Sequence, residues 1–307
     1  MKHNFKVTAI LVIMFLITQI IGLYVVSSYN NGIDLPYGME PPEELEQEPQ
    51  GIQIIIAFII AITLFFVLIK INAETFIKLW YYTVTVLAIG LSLTVIFIRL
   101  NLINYASFIA LLIAIPFAYY KIFKKHLIIH NLTELIVYPG IAAVFIPLIN
   151  VTWIIILLFL ISIYDIWAVW QTQFMQKMAK YQINKLQFFT GFFIPYADKK
   201  EKTKIRMIRE KYANKPKLME QKFNKANIKV SLAILGGGDV IFPIITAGVF
   251  YKYFGLNSAY MIIGFSTLAL LFLFTIARKG KFYPAMPFIT IGIYLGMIAS
   301  KFLGFLI

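Results

Sequence analysis

Again and again this chain of 307 residues runs through some twenty consecutive apolar residues between short polar breaks. About that many are needed to cross a bilayer as a helix. In hydrocarbon every backbone N–H and C=O must be satisfied within the protein, and only helices and closed barrels manage this. Charged residues make up 14% of the chain, against about a quarter in an average soluble domain. The solvent is therefore lipid, and the fold class is all-α: a polytopic membrane protein.

Reading apolar runs between breaks predicts nine spans. They are Phe5 to Val26, Ile52 to Ile71, Leu79 to Ile98, Tyr105 to Ile122, Leu135 to Ile149, Val151 to Phe174, Ile228 to Tyr251, Leu256 to Ala277 and Phe282 to Phe302. The first is too long for a signal-peptide core and reads as a retained helix. No repeat divides the chain, so residues 1–307 read as one membrane domain. Absence of cysteine excludes disulfides and thiolate catalysis.

A net charge of +14 invites a nucleic-acid reading, but in a membrane protein such an excess belongs to cytoplasmic loops. With the N-terminus inside, 24 of the 28 Lys and Arg fall on the inner side, and only Arg99, Lys252 and Lys301 on the outer. Lys229 lies at the inner mouth of the seventh span. The expected topology is a multi-pass protein of the cell membrane, with a cytoplasmic N-terminus and an outer C-terminus. Residues 30–51 form an acidic outer loop, with six acids and no base, and 171–227 a long basic inner loop. Within the latter, Phe174 to Tyr196 mixes Phe and Met with Lys at helical spacing, which suits a helix on an anionic lipid surface.

Twelve of the fourteen acids sit in or beside loops in this reading, including Glu74 and Glu134. Asp165 and Asp239 remain inside spans, with no cation in mid-span. An aspartate at the bilayer centre costs about 2.5–3.5 kcal/mol on insertion scales and usually marks function. Asp165 lies twelve residues before Lys177 and Asp239 ten after Lys229. Measured along helices, both fall roughly 15–18 Å from an inner cation, so the two carboxyls can meet at one level. Two such acids at close range share one proton. The ionised one can deprotonate water while the protonated one polarises a carbonyl, which is the apparatus of aspartic proteolysis.

Gly236, Gly237 and Gly238 precede Asp239. Three glycines are costly inside a helix but let another backbone approach closely. Tyr164 precedes Asp165 and offers a phenol near the pair. In Pro284-Ala285-Met286-Pro287, two prolines remove donors and free carbonyls near a helix start.

Together these three stretches resemble the presenilin and signal peptide peptidase family of intramembrane aspartyl proteases. That family carries Tyr-Asp in its sixth span, Gly-x-Gly-Asp in its seventh and Pro-Ala-Leu in its ninth. Met286 stands where the family has Leu. The resemblance implies a presenilin-like fold, catalysis by Asp165 and Asp239, and a third motif beside the dyad. It also implies a transmembrane substrate held as an extended segment that pairs with enzyme strands. The charge bias matches the presenilin orientation, hence substrates with their N-terminus outside. A compact chain without cysteine resembles the prokaryotic, archaeal members, which act without accessory subunits. Membrane lipids are expected partners; nucleic acid and cofactors are not.

Competing chemistries have less behind them. His126 and His130 have metal-ligand spacing, but Leu127 stands where a zinc protease needs its general base. Gly264-Phe265-Ser266-Thr267 lacks the mid-membrane base of a serine protease. The rival from another class is a proton- or cation-coupled transporter or leak channel that uses the two acids as a relay. Such transporters often break corresponding helices in two halves, whereas the clustered Gly and Pro breaks here fall in spans seven and nine, with no matching partners in the first half.

Overall fold

The computed structural model describes residues 5–39, 51–124, 126–171, 189–197, 199–212, 230–277 and 283–304, with isolated positions 185, 218 and 226. Apolar sequence becomes helix almost everywhere. The elements are α1 (Phe5–Asn30), α2 (Gly51–Lys70), α3 (Glu74–Arg99), α4 (Ala106–Ile122), α5 (Leu127–Phe145), α6 (Val151–Ile166), β1 (Gly191–Ala197), α7 (Lys199–Tyr212), β2 (Val230–Gly236), α8 (Gly237–Ile276) and α9 (Met286–Phe302). A wide π turn, Trp167–Gln171, continues α6. Of these helices, α1, α3, α5, α6 and α8, with their short extensions, are long and apolar enough to cross a membrane. The 40-residue α8 breaks at Gly255, whose φ of 80° and ψ of −175° suit only glycine, and so makes two passes. With the shorter α2, α4 and α9, nine apolar helical segments stand among the described residues.

The centre of the bundle is α1 packed on α5 and α8, with α3 and α4 on one flank and α9 and α6 on the other. Lipid gives helices no hydrophobic reason to associate, so close backbone approach has to supply packing energy. Gly140 on α5 lies so near the Ala88 carbonyl of α3 that no side chain could stand there. Polar side chains tie the helices at intervals. Ser92 donates to the Ile136 carbonyl (2.7 Å) and Tyr29 to that of Leu91 (2.7 Å).

A two-stranded antiparallel sheet departs from the all-helical expectation. β1 pairs with β2 from Gly191↔Gly236 to Ala197↔Val230. The seventh span therefore begins as strand and becomes helix only at Gly237, so a helical ruler from Lys229 to Asp239 does not apply. The surface helix expected over 174–196 is likewise replaced by β1 at its C-terminal end; residues 174–184 and 186–188 lie outside the described residues. So do Lys2, most of the acidic loop (40–50) and much of the basic loop, including Lys177, Asp198 and Lys229. Basic sequence of that loop does form a helix at α7, directly after β1. The fifth span starts at Leu127, eight residues before the expected Leu135. Glu134 and Lys121, assigned to inner loops by sequence, are instead buried helix residues paired at 3.1 Å. The ninth span starts at Met286, and Tyr283 and Pro284 precede it outside any helix.

Candidate active site

Asp239 owes its place to the strand-to-helix switch. β2 ends at Gly236, extended at φ −66° and ψ 149°, which is the N-cap of α8. Asp239 is thus the third residue of the helix, where an acidic side chain can reach back to the N-cap N–H. Its carboxyl turns back onto Gly236 in this way. A Cβ on Gly236 would lie 3.1 Å from Asp239 Oδ2, so a bare residue is needed there. Gly237 lies under the Tyr138 hydroxyl, 2.8 Å from where its own Cβ would be, and Gly238 is open. The three glycines stand at a helix start and not in its interior, so the helix-interior penalty does not arise. Pro243, one turn on, has no N–H to give the Asp239 carbonyl. From α1, Gln19 Nε2 donates to the Val240 carbonyl (2.9 Å, buried) and holds this first turn.

Asp165 lies in the last turn of α6 and is buried. The C-terminal end of a helix is a poor place for negative charge. The start of α9 offsets this: Met286 N–H donates to Asp165 Oδ2 at 3.0 Å. The third motif therefore acts through a backbone donor at a helix start, where unsatisfied N–H groups favour an anion. Pro287 helps start that helix, and buried Pro284 leads into it. Two further bonds fasten α6 to α9 along the same seam: Ser162 Oγ to Thr290 Oγ1 (2.8 Å) and Tyr294 OH to the Ile155 carbonyl (2.8 Å).

The carboxyls of Asp165 and Asp239 are close enough for their charges to interact. Each lies against the start of a different helix, so either one can carry the single charge without a cationic side chain. Tyr164 does not join them. It is half exposed, with its ring 6.3 Å from that of Trp167. His126 caps α5, its Nδ1 accepting from Ile129 N–H (3.4 Å), and His130 faces the Gly191 carbonyl (2.8 Å).

Sequence reading missed the Met286 donor, Gln19 and the α5 side chains that grip β1. Of these, only the spacing of His130, Glu134 and Tyr138, each one turn apart, leaves a trace in residue order.

The sequence model of the family described as "Signal-peptide peptidase, presenilin aspartyl protease" matches residues 12–306. Two solved structures of a presenilin family intramembrane aspartate protease, in C222 and P2 crystals, superpose with TM-scores of 0.61 and 0.59. They cover 96% and 95% of this chain and 99% and 96% of their own, at 16% and 17% identity, a likeness of fold. Comparison with curated protein sequences gives no match.

Proposed function

This chain belongs to the signal-peptide peptidase and presenilin family of aspartyl proteases, and from that premise we propose that Asp165 and Asp239 are its catalytic pair. The chain is a multi-pass membrane protein and an intramembrane aspartic endopeptidase, with no feature that favours a transporter. The observation that carries the assignment is a pair of interacting carboxyls inside an apolar bundle, Asp239 in the first turn of α8 and Asp165 bonded to the first turn of α9.

Chemistry follows from that arrangement. Two neighbouring carboxyls share a proton. The ionised member removes a proton from water as it attacks the scissile carbonyl, and the protonated member donates to the carbonyl oxygen. Gly236, Gly237 and Gly238 leave room for the substrate backbone, and Pro284, Ala285 and Met286 orient Asp165. Tyr164, next to Asp165 on α6, turns its ring toward Trp167 and shapes the approach to the pair.

Substrate reaches the pair as an extended segment of a transmembrane protein, and the sheet suggests how. The outward N–H and C=O groups of Gly191 and Phe193 are already bonded to α5 side chains. In an antiparallel pair successive residues direct these groups to opposite sides. Val230, Leu232 and Ile234 therefore present theirs on the far edge of β2, where the Leu232 and Ile234 side chains are exposed. Addition of a strand there would run the substrate past Asp239.

The inside bias of Lys and Arg supports a cytoplasmic N-terminus, an outer C-terminus and substrates with their N-terminus outside. We expect the chain to act without accessory subunits, in contact with membrane lipids. The test is purified protein in vesicles with a single-span peptide, products identified by mass spectrometry. Cleavage within the span is expected; proton or cation flux without cleavage would favour a transporter.

A further inference from the structure

A buried ionic cluster lies against the sheet, and the hydrolysis itself makes no use of it. Lys121, in the last turn of α4, has its side chain fully buried and its Nζ 3.1 Å from Glu134 Oε1. His130 Nε2 is 3.6 Å from the same oxygen, and the Tyr81 ring lies 5.3 Å from the ammonium. Burying such a pair is expensive, and well-packed apolar residues are often as stable or more so. Around these side chains apolar residues abound, so stability alone is a weak reason for the pair.

The cluster converges on one strand. Glu134 Oε1 accepts the Gly191 N–H (3.2 Å), and His130 Nε2 lies 2.8 Å from the Gly191 carbonyl. One position round the helix from His130, Asn131 grips Phe193 twice, accepting its N–H (3.2 Å) and donating to its carbonyl (2.9 Å). Helix α5 thus satisfies both outward groups at two alternate residues of β1. Tyr138, one turn beyond Glu134, packs edge-on against Phe192 (5.9 Å) and abuts Gly237.

The strand held in this way is the one that sets Asp239. Gly191 stands opposite Gly236 in the ladder, and the Asp239 carboxyl lies against Gly236. At φ 137°, with the Leu235 carbonyl where a side chain would go, Gly191 can only be glycine. We propose that Glu134, with His130 and Asn131, is a positioning site for catalysis. It fixes β1 at Gly191 and, through the Gly191–Gly236 pair, the placement of Asp239, while Lys121 balances its charge. This inference rests on the reading of Asp239 as catalytic.

Two charge-free double variants test it without stranding a buried ion. Lys121→Met with Glu134→Gln keeps an acceptor for Gly191; Lys121→Met with Glu134→Leu does not. Kinetics on a single-span substrate should show kcat per folded molecule lower by about tenfold in the Leu pair, the worth of one strong hydrogen bond. The Gln pair should regain most of that loss. Equal kcat in the two pairs would overturn the proposal. Should the Leu pair fail to fold, Asn131→Leu decides: a kcat fall with a native melting temperature supports the bracket, and wild-type kcat overturns it. Were the wild type to cleave nothing, the protease reading would fail by itself. Hydrogen exchange would still judge the bracket, which requires faster exchange at 191–197 and 230–239 in the Leu pair than in the Gln pair; equal rates refute it.

Discussion

Gly237→Ala probes the join between helix α5 and the start of α8. The new methyl would sit 2.8 Å from the Tyr138 hydroxyl and 3.1 and 3.2 Å from two of its ring carbons. Something must move by several tenths of an ångström. Tyr138 yields with difficulty, because it is buried and packed edge-on against Phe192. The first turn of α8 has the freer neighbour, since Gly238 is open, so the shift falls on the segment that carries Asp239. Overpacking of this kind costs about 1–3 kcal/mol. Expressed wholly in the transition state, that is about a 5- to 150-fold loss of kcat/KM. Tyr138→Phe removes the tightest contact and leaves the two ring contacts, so the double variant should recover part of the loss. The assay is steady-state cleavage of a single-span peptide by wild type, both single variants and the double. Wild-type kcat/KM in Gly237→Ala, or no recovery in the double variant, would refute the argument.

Three other outcomes follow from the same geometry. Cleavage should pass through a maximum with pH, because one acid must be protonated and the other ionised; a rate constant across the acidic and neutral range, with chemistry limiting, would contradict this. Gly255→Ala should lower thermal stability by about 1–3 kcal/mol, from its glycine-only backbone, and leave kcat unchanged when measured below the melting temperature. Burial pushes the Tyr37 phenol above its ordinary range, and its hydroxyl donates to the Ser107 carbonyl (2.7 Å). An acid raised in the folded state contributes stability in full below its unfolded value, about 10 for tyrosine, and loses it as pH climbs through the folded value. Melting curves between about pH 9 and 12 should therefore show a steeper alkaline loss in wild type than in Tyr37→Phe.

The parts of this molecule legible in the residue order are those that lipid dictates. A long apolar run in hydrocarbon has only one way to satisfy its backbone, so most spans were visible to within a few residues. Asp165 and Asp239 stood out because carboxyls without neighbouring cations are rare in such runs. Val230–Gly236 was not legible, because Val-Ser-Leu-Ala-Ile-Leu-Gly continues the apolar pattern of the helix that follows. Its strand character comes from pairing with β1, some forty residues earlier. Glu134 was hidden for the opposite reason. A charge beside an apolar run reads as a loop boundary, and only the folded chain brings Lys121 and Gly191 to it. The Met286 donor left no mark because it is a backbone group, and its side chain says nothing of the bond.

The account stands on two carboxyls that act as one unit. Asp165→Asn keeps an oxygen to accept the Met286 N–H, and Asp239→Asn keeps the size of the side chain that lies against Gly236, so both variants should fold, with melting temperatures near wild type. Neither can supply both the acid and the base. Measured in vesicles on the same single-span peptide, each variant alone should abolish cleavage. Wild-type turnover in either one would contradict the paired mechanism.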